Sequence, residues 1–447
     1  LRYVGTSKDI RFEYYDDLTA LPALMIREDS WFDAAMDGFV FTPALTVTNG
    51  ATLTIEDGIT LTFDEDLIVE AGARLDVGAG ATLQFAPGKR IVNTGDFDAD
   101  GATFTASNAS QGWGGIRYEQ GSTGTLDGAT VERVRGPNGY DGTSIYVDRA
   151  SPQITGSTIR NSANYGNGAA GIYITGQQAP NVYPTITGIF VQQINGDGIV
   201  LNNGAYAVLT NNTVQNNVDD GIVIGPNSDV FLKTNSVTAN DVGVFAANGG
   251  YAGFGDYYYL GDGFNVINGN TGRGVYAFNN AQISAGNSSR HRYSSFLGND
   301  VRAQKSNARV YASADYWGDE NDDDVGDLPR TSQSQTGQVF ASTYCTDVPN
   351  AQGCTLDTVT SSSRMASGSG AVTDATPLPY RLDAAHEAAA AGRYTESLDH
   401  LKALAEEGDG PTAYAEAVRL YAASEDRAVL TFLEDAFADE GAQRTER

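Results

Sequence analysis

Hydrophobic and polar residues alternate along much of the chain, and two consecutive stretches repeat the alternation at one spacing. LTVTNGATLTIEDGITLTF (45–63) and LIVEAGARLDVGAGATLQF (67–85) match at paired positions that are 22 residues apart. The alternation has period 2, which is typical of strands that bury one face. A unit of three short strands buries its inner face only by stacking on a copy of itself. We therefore predict that Leu53 stacks on Leu75 and Phe63 on Phe85.

A looser form of the same strand recurs after the repeat, with one aliphatic anchor residue in each unit. The anchors are Ile116, Ile145, Ile172, Ile199, Ile222, Val244, Val275 and Val301. Their spacing varies from 22 to 31 residues, so the extra residues belong to corner loops. A β-propeller needs about 40 residues per blade, and the regular pattern of a leucine-rich repeat is absent. The pattern predicts a mainly β protein, a parallel β-helix over residues 45–345.

Asparagines recur at two corners of the predicted coils. Asn203, Asn248 and Asn279 each follow an anchor by four residues, whereas Asn216, Asn217 and Asn240 lie at a neighbouring corner. Stacked Asn side chains hydrogen-bond along a column and satisfy turn backbone. With coils such as NNTVQNN and TNSVTAND, residues 45–318 resemble right-handed parallel β-helix proteins of the bacterial surface and secreted type.

The ends of the chain differ in character from the coils. We expect residues 1–44 to be an N-terminal cap or the end of a preceding segment, and the start at Leu1 suggests processing. ADYWGDENDDD (314–324) resembles the YWG motif that closes such helices, with Trp317 as the cap. A cysteine loop and a Ser/Gly-rich linker occupy 346–379. Residues 380–447 resemble tetratricopeptide hairpins and predict a small α-helical C-terminal module.

The net charge of the chain limits the kinds of partner that it can bind. Acidic residues outnumber basic ones by 56 to 28, which gives a net charge of −28. This balance argues against nucleic acid or an anionic membrane as a partner, and no apolar stretch is long enough to span a bilayer. High acidity with few lysines suits a halophilic, saline habitat. A GC-rich genome, which favours Arg over Lys, explains the scarcity of lysine equally well.

Two cysteines indicate the compartment. Cys345 and Cys354 lie close together in the loop CTDVPNAQGC. A small disulfide between them is predicted, which implies an oxidising, extracellular or cell-surface location. Two unrelated thiols are the alternative.

Four aspartates precede the anchors in consecutive predicted coils, namely Asp197, Asp219, Asp220 and Asp241. Stacking places such carboxylates about 5 Å apart. That separation suits the paired carboxyls of a retaining glycosidase or the ligands of a Ca²⁺ ion. Asp is also a common turn residue that faces solvent, so a purely structural role stays open.

The motif Asp219-Asp220-Gly221 resembles the carboxylate motif of polygalacturonases, a β-helix branch, which implies glycoside hydrolysis. The Gly-His-Gly and Arg-x-Lys of that branch are missing, because the three histidines are His291, His386 and His400. Pectate lyase chemistry needs a basic residue beside Ca²⁺ ligands, and Arg160, the nearest candidate, has no evident partner in the sequence. The sequence therefore favours a protein without catalytic activity.

Aromatic residues in corner loops are candidates for contact with a glycan or a protein neighbour, because exposed Tyr supplies rigid contact area. The set comprises Tyr251, Phe254, Tyr257, Tyr258, Tyr259, Tyr140, Tyr165, Tyr183 and Tyr206. The alternative is that the longest loop, YAGFGDYYYLGDGF (251–264), merely covers the side of the β-helix.

Besides the corner aspartates, the sequence suggests one loose calcium site. Asp319, Asn321 and Asp323 have the alternating spacing of a calcium loop. Asp324 stands where an EF-hand requires Gly and Arg330 where it requires Glu, so an EF-hand is rejected. Acidic clusters of this kind are often only solvated.

We therefore expect an extracellular or cell-surface β-helix protein with a structural or adhesive role, which binds a glycan or a neighbouring subunit through its tyrosine-rich loops. A polysaccharide lyase or glycoside hydrolase is the first alternative. A filament or assembly subunit is the second, because open β-helix ends can stack end to end. No cofactor other than Ca²⁺ is expected.

Overall fold

The computed structural model describes most of the predicted β-helix and little of the C-terminal tail. The described residues are 23–136, 142–162, 170–176, 183–255, 263–286, 301–304, 308–312, 315–316, 338–340, 343–345, 356–358, 398–399 and 401–402. The chain divides into two compact units, Leu1–Gly255 with Asp262–Ala366, and Asp256–Gly261 with Ser367–Arg447. All the strands described below lie in the first unit.

Short strands follow one another in repeating groups of three, as the period-2 pattern predicts. The first six groups are β1 (Ala23–Ile26), β2 (Ser30–Phe32), β3 (Phe39–Phe41), β4 (Ala44–Val47), β5 (Thr52–Ile55), β6 (Thr60–Phe63), β7 (Leu67–Val69), β8 (Arg74–Val77), β9 (Thr82–Phe85), β10 (Ile91–Asn93), β11 (Asp96–Asp100), β12 (Thr103–Ala106), β13 (Ile116–Tyr118), β14 (Thr125–Asp127), β15 (Thr130–Glu132), β16 (Ile145–Asp148), β17 (Gln153–Thr155) and β18 (Thr158–Arg160). A 3-10 turn, Ala34–Met36, precedes β3.

The remaining strands continue the series, with the third member absent from the later groups among the described residues. They are β19 (Ala170–Thr175), β20 (Thr185–Thr187), β21 (Phe190–Gln192), β22 (Asp197–Asn202), β23 (Tyr206–Thr210), β24 (Thr213–Gln215), β25 (Ile222–Ile224), β26 (Asp229–Lys233), β27 (Ser236–Thr238), β28 (Val242–Ala247), β29 (Tyr251–Phe254), β30 (Arg273–Phe278), β31 (Gln282–Gly286), β32 (Val301–Gln304), β33 (Arg309–Ala312), β34 (Asp315–Tyr316), β35 (Gln338–Phe340), β36 (Thr343–Cys345) and β37 (Leu356–Thr358).

In three large sheets, each strand pairs in parallel with its counterpart one turn of the chain away, which makes the fold a parallel β-helix. The first sheet has 12 strands, from β1 through β4 and β7 to β32; the second has 13, from β2 to β35; the third has 9, from β3 to β27. A small separate sheet joins β34, β36 and β37. The coils begin before the predicted boundary at residue 45, because β1, β2 and β3 already pair in parallel with β4, β5 and β6.

The predicted 22-residue register is confirmed. Leu53 pairs with Leu75, and Phe63 pairs with Phe85, whose ring lies 5.1 Å from it between centroids. A stack of five rings runs inside the first coils through Phe32, Phe41, Phe63, Phe85 and Trp113, with successive centroids 4.8 to 5.2 Å apart. These rings belong to one continuous core of inward-facing side chains.

Asparagine ladders replace the aromatic stack in the later coils. In one ladder the Asn217 side-chain amide donates to Asn240 Oδ1 at 3.0 Å, and the Asn240 amide donates to Asn270 Oδ1 at 3.2 Å. A parallel ladder links Asn212, Asn235 and Asn265 at 3.0 Å per step. Each oxygen also accepts a backbone N–H from the neighbouring coil, as Asn240 does from Asn217 at 3.2 Å. The predicted stacking of Asn217 on Asn240 is thus confirmed, and the ladders satisfy buried polar groups that would otherwise destabilise the corners.

Several expectations fall outside the described residues. Trp317 of the YWG motif and Cys354 lie there, so the cap and the disulfide remain predictions; Cys345 itself is the last residue of β36, paired with Leu356. Of the predicted helical hairpins only 398–399 and 401–402 are described, too few to test the C-terminal module.

Over the described ranges, we find no helix that combines the length and apolar character needed to cross a membrane.

The ring stack gives a stability prediction. Phe63 contacts rings on both sides, so Phe63→Ala leaves a gap inside a packed column and should lower the free energy of unfolding by about 3–5 kcal/mol. Denaturant unfolding followed by circular dichroism measures the change. Thr62→Ala, on the outer face of the same strand, is the matched control and should change it by less than about 0.5 kcal/mol. Equal effects of the two substitutions would contradict a stabilising role for the stack.

Candidate functional site

The four predicted aspartates come together at one corner of the β-helix, which we call the acid corner (Asp197, Asp219, Asp220 and Asp241). The corner leads into strands β22, β25 and β28 of the first sheet. Asp197 Oδ1 accepts the backbone N–H of Asp220 at 3.0 Å, and Asp220 Oδ1 accepts the backbone N–H of Val242 at 3.2 Å. Asp197 and Asp220 therefore occupy the same position in adjacent coils, about 4.8 Å apart.

Glycine follows the aspartate position in three successive coils, as Gly198, Gly221 and Gly243. A Cβ on any of the three would lie 2.4 to 2.5 Å from an inward-facing Val or Ile carbon, and 2.5 to 2.7 Å from a carbonyl oxygen of the next coil. No side chain fits in that space. The Asp-Gly sequence thus sets a tight corner in which the glycine packs inward and the carboxylate lies outside the core.

The environment of the acid corner favours the protonated forms of its two half-buried carboxyls. Burial away from water, followed by the charges of Asp220 and Asp219, raises the pKa of Asp197 to about 7. Burial also raises the pKa of Asp220, to about 6; the N–H of Val242 and the positive charge of Arg273 oppose that rise. Asp219 and Asp241 are exposed. Perturbed carboxyl groups grouped in this way are typical of functional sites.

A row of apolar side chains runs beside the acid corner on the outer face of the first sheet. Its members pair across consecutive coils in the order Tyr146, Tyr173, Val200, Val223, Phe245 and Tyr276. The rings stack in two pairs, Tyr146 on Tyr173 at 5.8 Å and Phe245 on Tyr276 at 5.0 Å between centroids. Tyr173 and Val200 are buried at 4% and 7% exposure, whereas the others are half-buried. We call this set the aromatic row.

The aromatic row spans the coils that carry the acid corner. Val200 lies three residues after Asp197 on β22, about 10 Å along the strand, and Val223 lies three residues after Asp220. One ring pair lies toward the N-terminal coils and the other toward the C-terminal coils. The carboxyls are thus centred beside the row, with aliphatic side chains next to them and stacked rings on either side.

Arg273 connects the two features. It pairs with Val242, the residue that follows Asp220 in the column of the acid corner. Its guanidinium carbon lies 4.6 Å from the centroid of the Tyr276 ring, which is a cation–π contact. Arg117 makes a similar contact with Tyr146, at 5.0 Å, at the other end of the aromatic row.

The acid corner is predicted by the sequence pattern, but the aromatic row is not. Each ring of the row directly follows an anchor residue, as Tyr146 follows Ile145 and Tyr276 follows Val275. That position faces outward when the anchor faces the core. A comparison of the residue after each anchor would have revealed the row.

Of the tyrosines selected from the corner loops, Tyr206 is buried, whereas Tyr183 and Tyr251 are half-buried. Tyr183, Tyr206, Phe231 and Tyr251 form a chain of ring contacts outside the second sheet, with centroids 4.6 to 5.9 Å apart. Tyr206 and Phe231 are buried there. Phe254 was predicted to contact a ligand, but it is fully buried in the core, because it is an inward-facing residue of β29 rather than part of a loop. Tyr140, Tyr165, Tyr257, Tyr258 and Tyr259 lie outside the described residues.

Metal chemistry finds no support in the described part of the chain. No group of three or more His, Cys, Asp or Glu side chains in that part is arranged to hold a metal ion, and Asp319, Asn321 and Asp323 lie outside it. The expectation that Arg160 has no partner is wrong, because its Nε donates to Glu132 Oε2 at 3.0 Å.

A groove of about 700 Å³ lies on the second sheet, lined by residues that include Thr54, Arg74, Asp76 and Asp98. Two of its carboxylates are ion-paired: Arg74 pairs with Asp76 at 2.6 Å and with Asp98 at 2.6 Å. No residue of the acid corner or aromatic row lines the groove. We therefore treat it as an ion-paired surface rather than as the reactive site.

Comparison with known proteins agrees with the fold. Residues 91–301 match the family model described as the right handed beta helix region, and with the sheet topology this identifies a right-handed parallel β-helix. The chain is similar to a mutant of the periplasmic alginate epimerase AlgG, at 12% identity, over 72% of this chain and 84% of that chain, with a TM-score of 0.44. It is also similar to the A-module of the Azotobacter vinelandii mannuronan C-5 epimerase AlgE6, at 13% identity, over 65% and 89%, with a TM-score of 0.37.

These structural similarities concern the fold alone. A search of curated proteins finds no match.

The acid corner predicts a dependence of stability on pH. The pKa of Asp197 is raised from 3.8 to about 7, so the folded protein retains a proton that the unfolded chain loses. The contribution of Asp197 to stability is complete below pH 4 and disappears as the pH rises to about 7. Relative to the parent, Asp197→Asn should gain up to about 4 kcal/mol in unfolding free energy between pH 4 and pH 8.

Urea unfolding at both pH values measures this gain. Asp66→Asn is the matched control. The Oδ1 atom of Asp66 also accepts a backbone N–H of the next coil, that of Arg90 at 2.9 Å, and Asp66 lies at the corner before a first-sheet strand. Identical pH profiles for the parent and Asp197→Asn would show that Asp197 is not held protonated.

Proposed function

We propose that the protein is a glycoside hydrolase that binds a neutral polysaccharide along the aromatic row and cleaves it at the acid corner. The observation that carries the proposal is the stacking of Asp197 and Asp220, two half-buried carboxyls with raised pKa values, one coil apart beside the row. Glycosidases use two carboxyl groups, and a separation of about 5–5.5 Å suits the retaining mechanism. This proposal replaces the non-catalytic role that the sequence favoured.

The two carboxyls have different roles in the first step. Asp197, with the higher pKa, is the acid: it gives its proton to the glycosidic oxygen while the bond from that oxygen to C1 breaks and its electron pair moves to the oxygen. Asp220, with the lower pKa, is the nucleophile: a carboxylate oxygen forms the new bond to C1. The leaving part of the glycan departs with a hydroxyl group, and the other part stays bound to Asp220 as an ester.

Water completes the reaction in the second step. The Asp197 carboxylate takes a proton from a water molecule as the water oxygen bonds to C1. The bond from C1 to Asp220 breaks, and its electron pair returns to the carboxylate. Both carboxyls then have their starting protonation states, so the cycle needs no metal ion or redox partner.

Several features support a neutral substrate that extends along the helix axis. The two ring pairs supply rigid apolar platforms on both sides of the carboxyls, and the sheet holds them in place before a ligand binds. The net charge of −28 disfavours polyanions. A lyase mechanism is less well supported, because Arg160 is paired with Glu132.

The hydrolysis prediction is tested on a panel of neutral polysaccharides. The parent should release reducing ends from one of them, and Asp197→Asn and Asp220→Asn should each reduce the rate by at least about 100-fold, because each removes one half of the acid–nucleophile pair. Asp66→Asn should retain the parental rate. Binding of a glycan without cleavage would support an adhesive role instead, and full activity in either acid-corner variant would exclude the proposed mechanism.

Arg273 should set the acidic limb of the pH–rate profile. The positive charge of Arg273 lowers the pKa of Asp220, so Arg273→Gln should raise that pKa and move the acidic limb to higher pH. Arg273→Lys, which keeps the charge, should leave the limb close to its parental position. The profile of kcat/KM for the parent and both variants is the measurement. A limb that moves equally in both variants would point to loss of the Tyr276 contact rather than of the charge.

A further inference from the structure

The outer face of the third sheet carries a column of hydroxyl side chains with one interruption. Strand pairing aligns the column across eight consecutive coils as Thr60, Thr82, Thr103, Thr130, Thr158, Phe190, Thr213 and Ser236. The seven hydroxyl residues suit a solvent-facing strand position. Phe190 is the exception, and 47% of it is exposed.

The neighbouring outward column surrounds Phe190 with planar polar groups. Strand pairing aligns Arg160, Gln192 and Gln215 in adjacent coils. Gln192 is on the same strand as Phe190, about 7 Å away, while Thr158 and Thr213 flank Phe190 one strand to either side, about 4.8 Å away. One exposed ring is therefore bordered by a guanidinium, two amides and two hydroxyls on a flat sheet.

Contacts within the patch hold these polar groups in place. The Gln215 side-chain amide donates to Gln192 Oε1 at 3.1 Å. Arg160 is fixed through Nε by Glu132, which also accepts from Thr105 Oγ1 at 3.2 Å. Among the described residues, no further hydrogen bond engages Arg160 Nη1 and Nη2, Gln192 Nε2 or Gln215 Oε1, so these atoms can act as donors and acceptors. A site held in place in this way loses little conformational entropy when a ligand binds.

The patch has the chemistry of a sugar-binding site. The apolar C–H face of a pyranose packs on an aromatic ring, and its hydroxyls need both donors and acceptors around the edge of that ring. Phe190 supplies the ring, and Arg160, Gln192 and Gln215 supply the edge. A protein partner is a poorer fit, since stable protein interfaces bury about 800 Å² per partner around a cluster of anchors. An anionic ligand is disfavoured by the net charge of −28 and by the pairing of Arg160 with Glu132.

We propose that Phe190, with Arg160, Gln192 and Gln215, forms a second binding site that takes a sugar unit of a neutral glycan, on a different sheet from the aromatic row. The site requires no hydrolysis and stands independently of the proposed catalysis. It lies close to the acid corner along the chain, because Asp197 follows Gln192 by five residues in the same coil. A glycan held at Phe190 would raise the local concentration of substrate at that corner.

The test replaces Phe190 by the residue that its neighbours in the column carry. Phe190→Thr should fold as the parent does, because Thr occupies the same position in the adjacent coils. Binding is measured by saturation-transfer NMR with four probes: cellohexaose, maltohexaose, mannohexaose and xylohexaose. The measurements use the Asp197→Asn/Asp220→Asn protein, which leaves the probe intact. For the probe that binds, Phe190→Thr should lower the binding affinity of this site about tenfold.

Further variants separate the ring from general surface effects. Gln192→Ala/Gln215→Ala should lower the binding affinity of the same site while leaving Phe190 in place. Val40→Thr is the matched control, since Val40 is also an exposed apolar residue of the third sheet but lies in the first coil, and it should leave binding unchanged. Parental binding in Phe190→Thr, or no transfer from any of the four probes to the parent, would overturn the proposal. Hydrolysis of the same probes by the unmodified protein is scored separately, so failure of one proposal does not decide the other.

Discussion

The parallel pairing of each coil with the next is the constraint on which the rest of the structure depends. Backbone hydrogen bonds hold equivalent positions about 4.8 Å apart, so a residue type that recurs once per coil becomes a column. The rings from Phe32 to Trp113, the ladder from Asn217 to Asn270 and the hydroxyl column of the third sheet all arise in this way. The proposed site follows the same rule, because the acid corner and the aromatic row are columns too.

Much of the fold could be predicted from the sequence because the coil period is visible in it. The 22-residue repeat set the register of Leu53 on Leu75, and the asparagines marked the corners. The grouping of Asp197 with Asp220 also followed, since both precede an anchor by two residues. At these positions the spacing of residues in the sequence agrees with the pairing of the coils. The pairing inferred from the core residues therefore also shows which corner residues stack on each other.

The aromatic row could not be predicted from the anchor residues alone. Tyr173 and Phe245 are far apart in the chain, and only coil counting across loops of unequal length brings them into one row. The expectation for Phe254 failed for a related reason. It stands in an aromatic, glycine-rich stretch that reads as a loop, yet its position in β29 faces the core. Loop-like composition did not reveal where the strand ended.

The buried indole of Trp113 is an intrinsic fluorescence probe of the β-helix. Trp113 stacks on Phe85 and donates through Nε1 to the Glu132 carbonyl oxygen at 2.8 Å, whereas Trp31 is exposed. The indole environments differ, so we expect the emission of Trp113 to lie to the blue of that of Trp31. Solenoids lose their coils in stages rather than all at once. A red shift that precedes the loss of far-ultraviolet signal would therefore mark opening at the junction between the aromatic stack and the later coils.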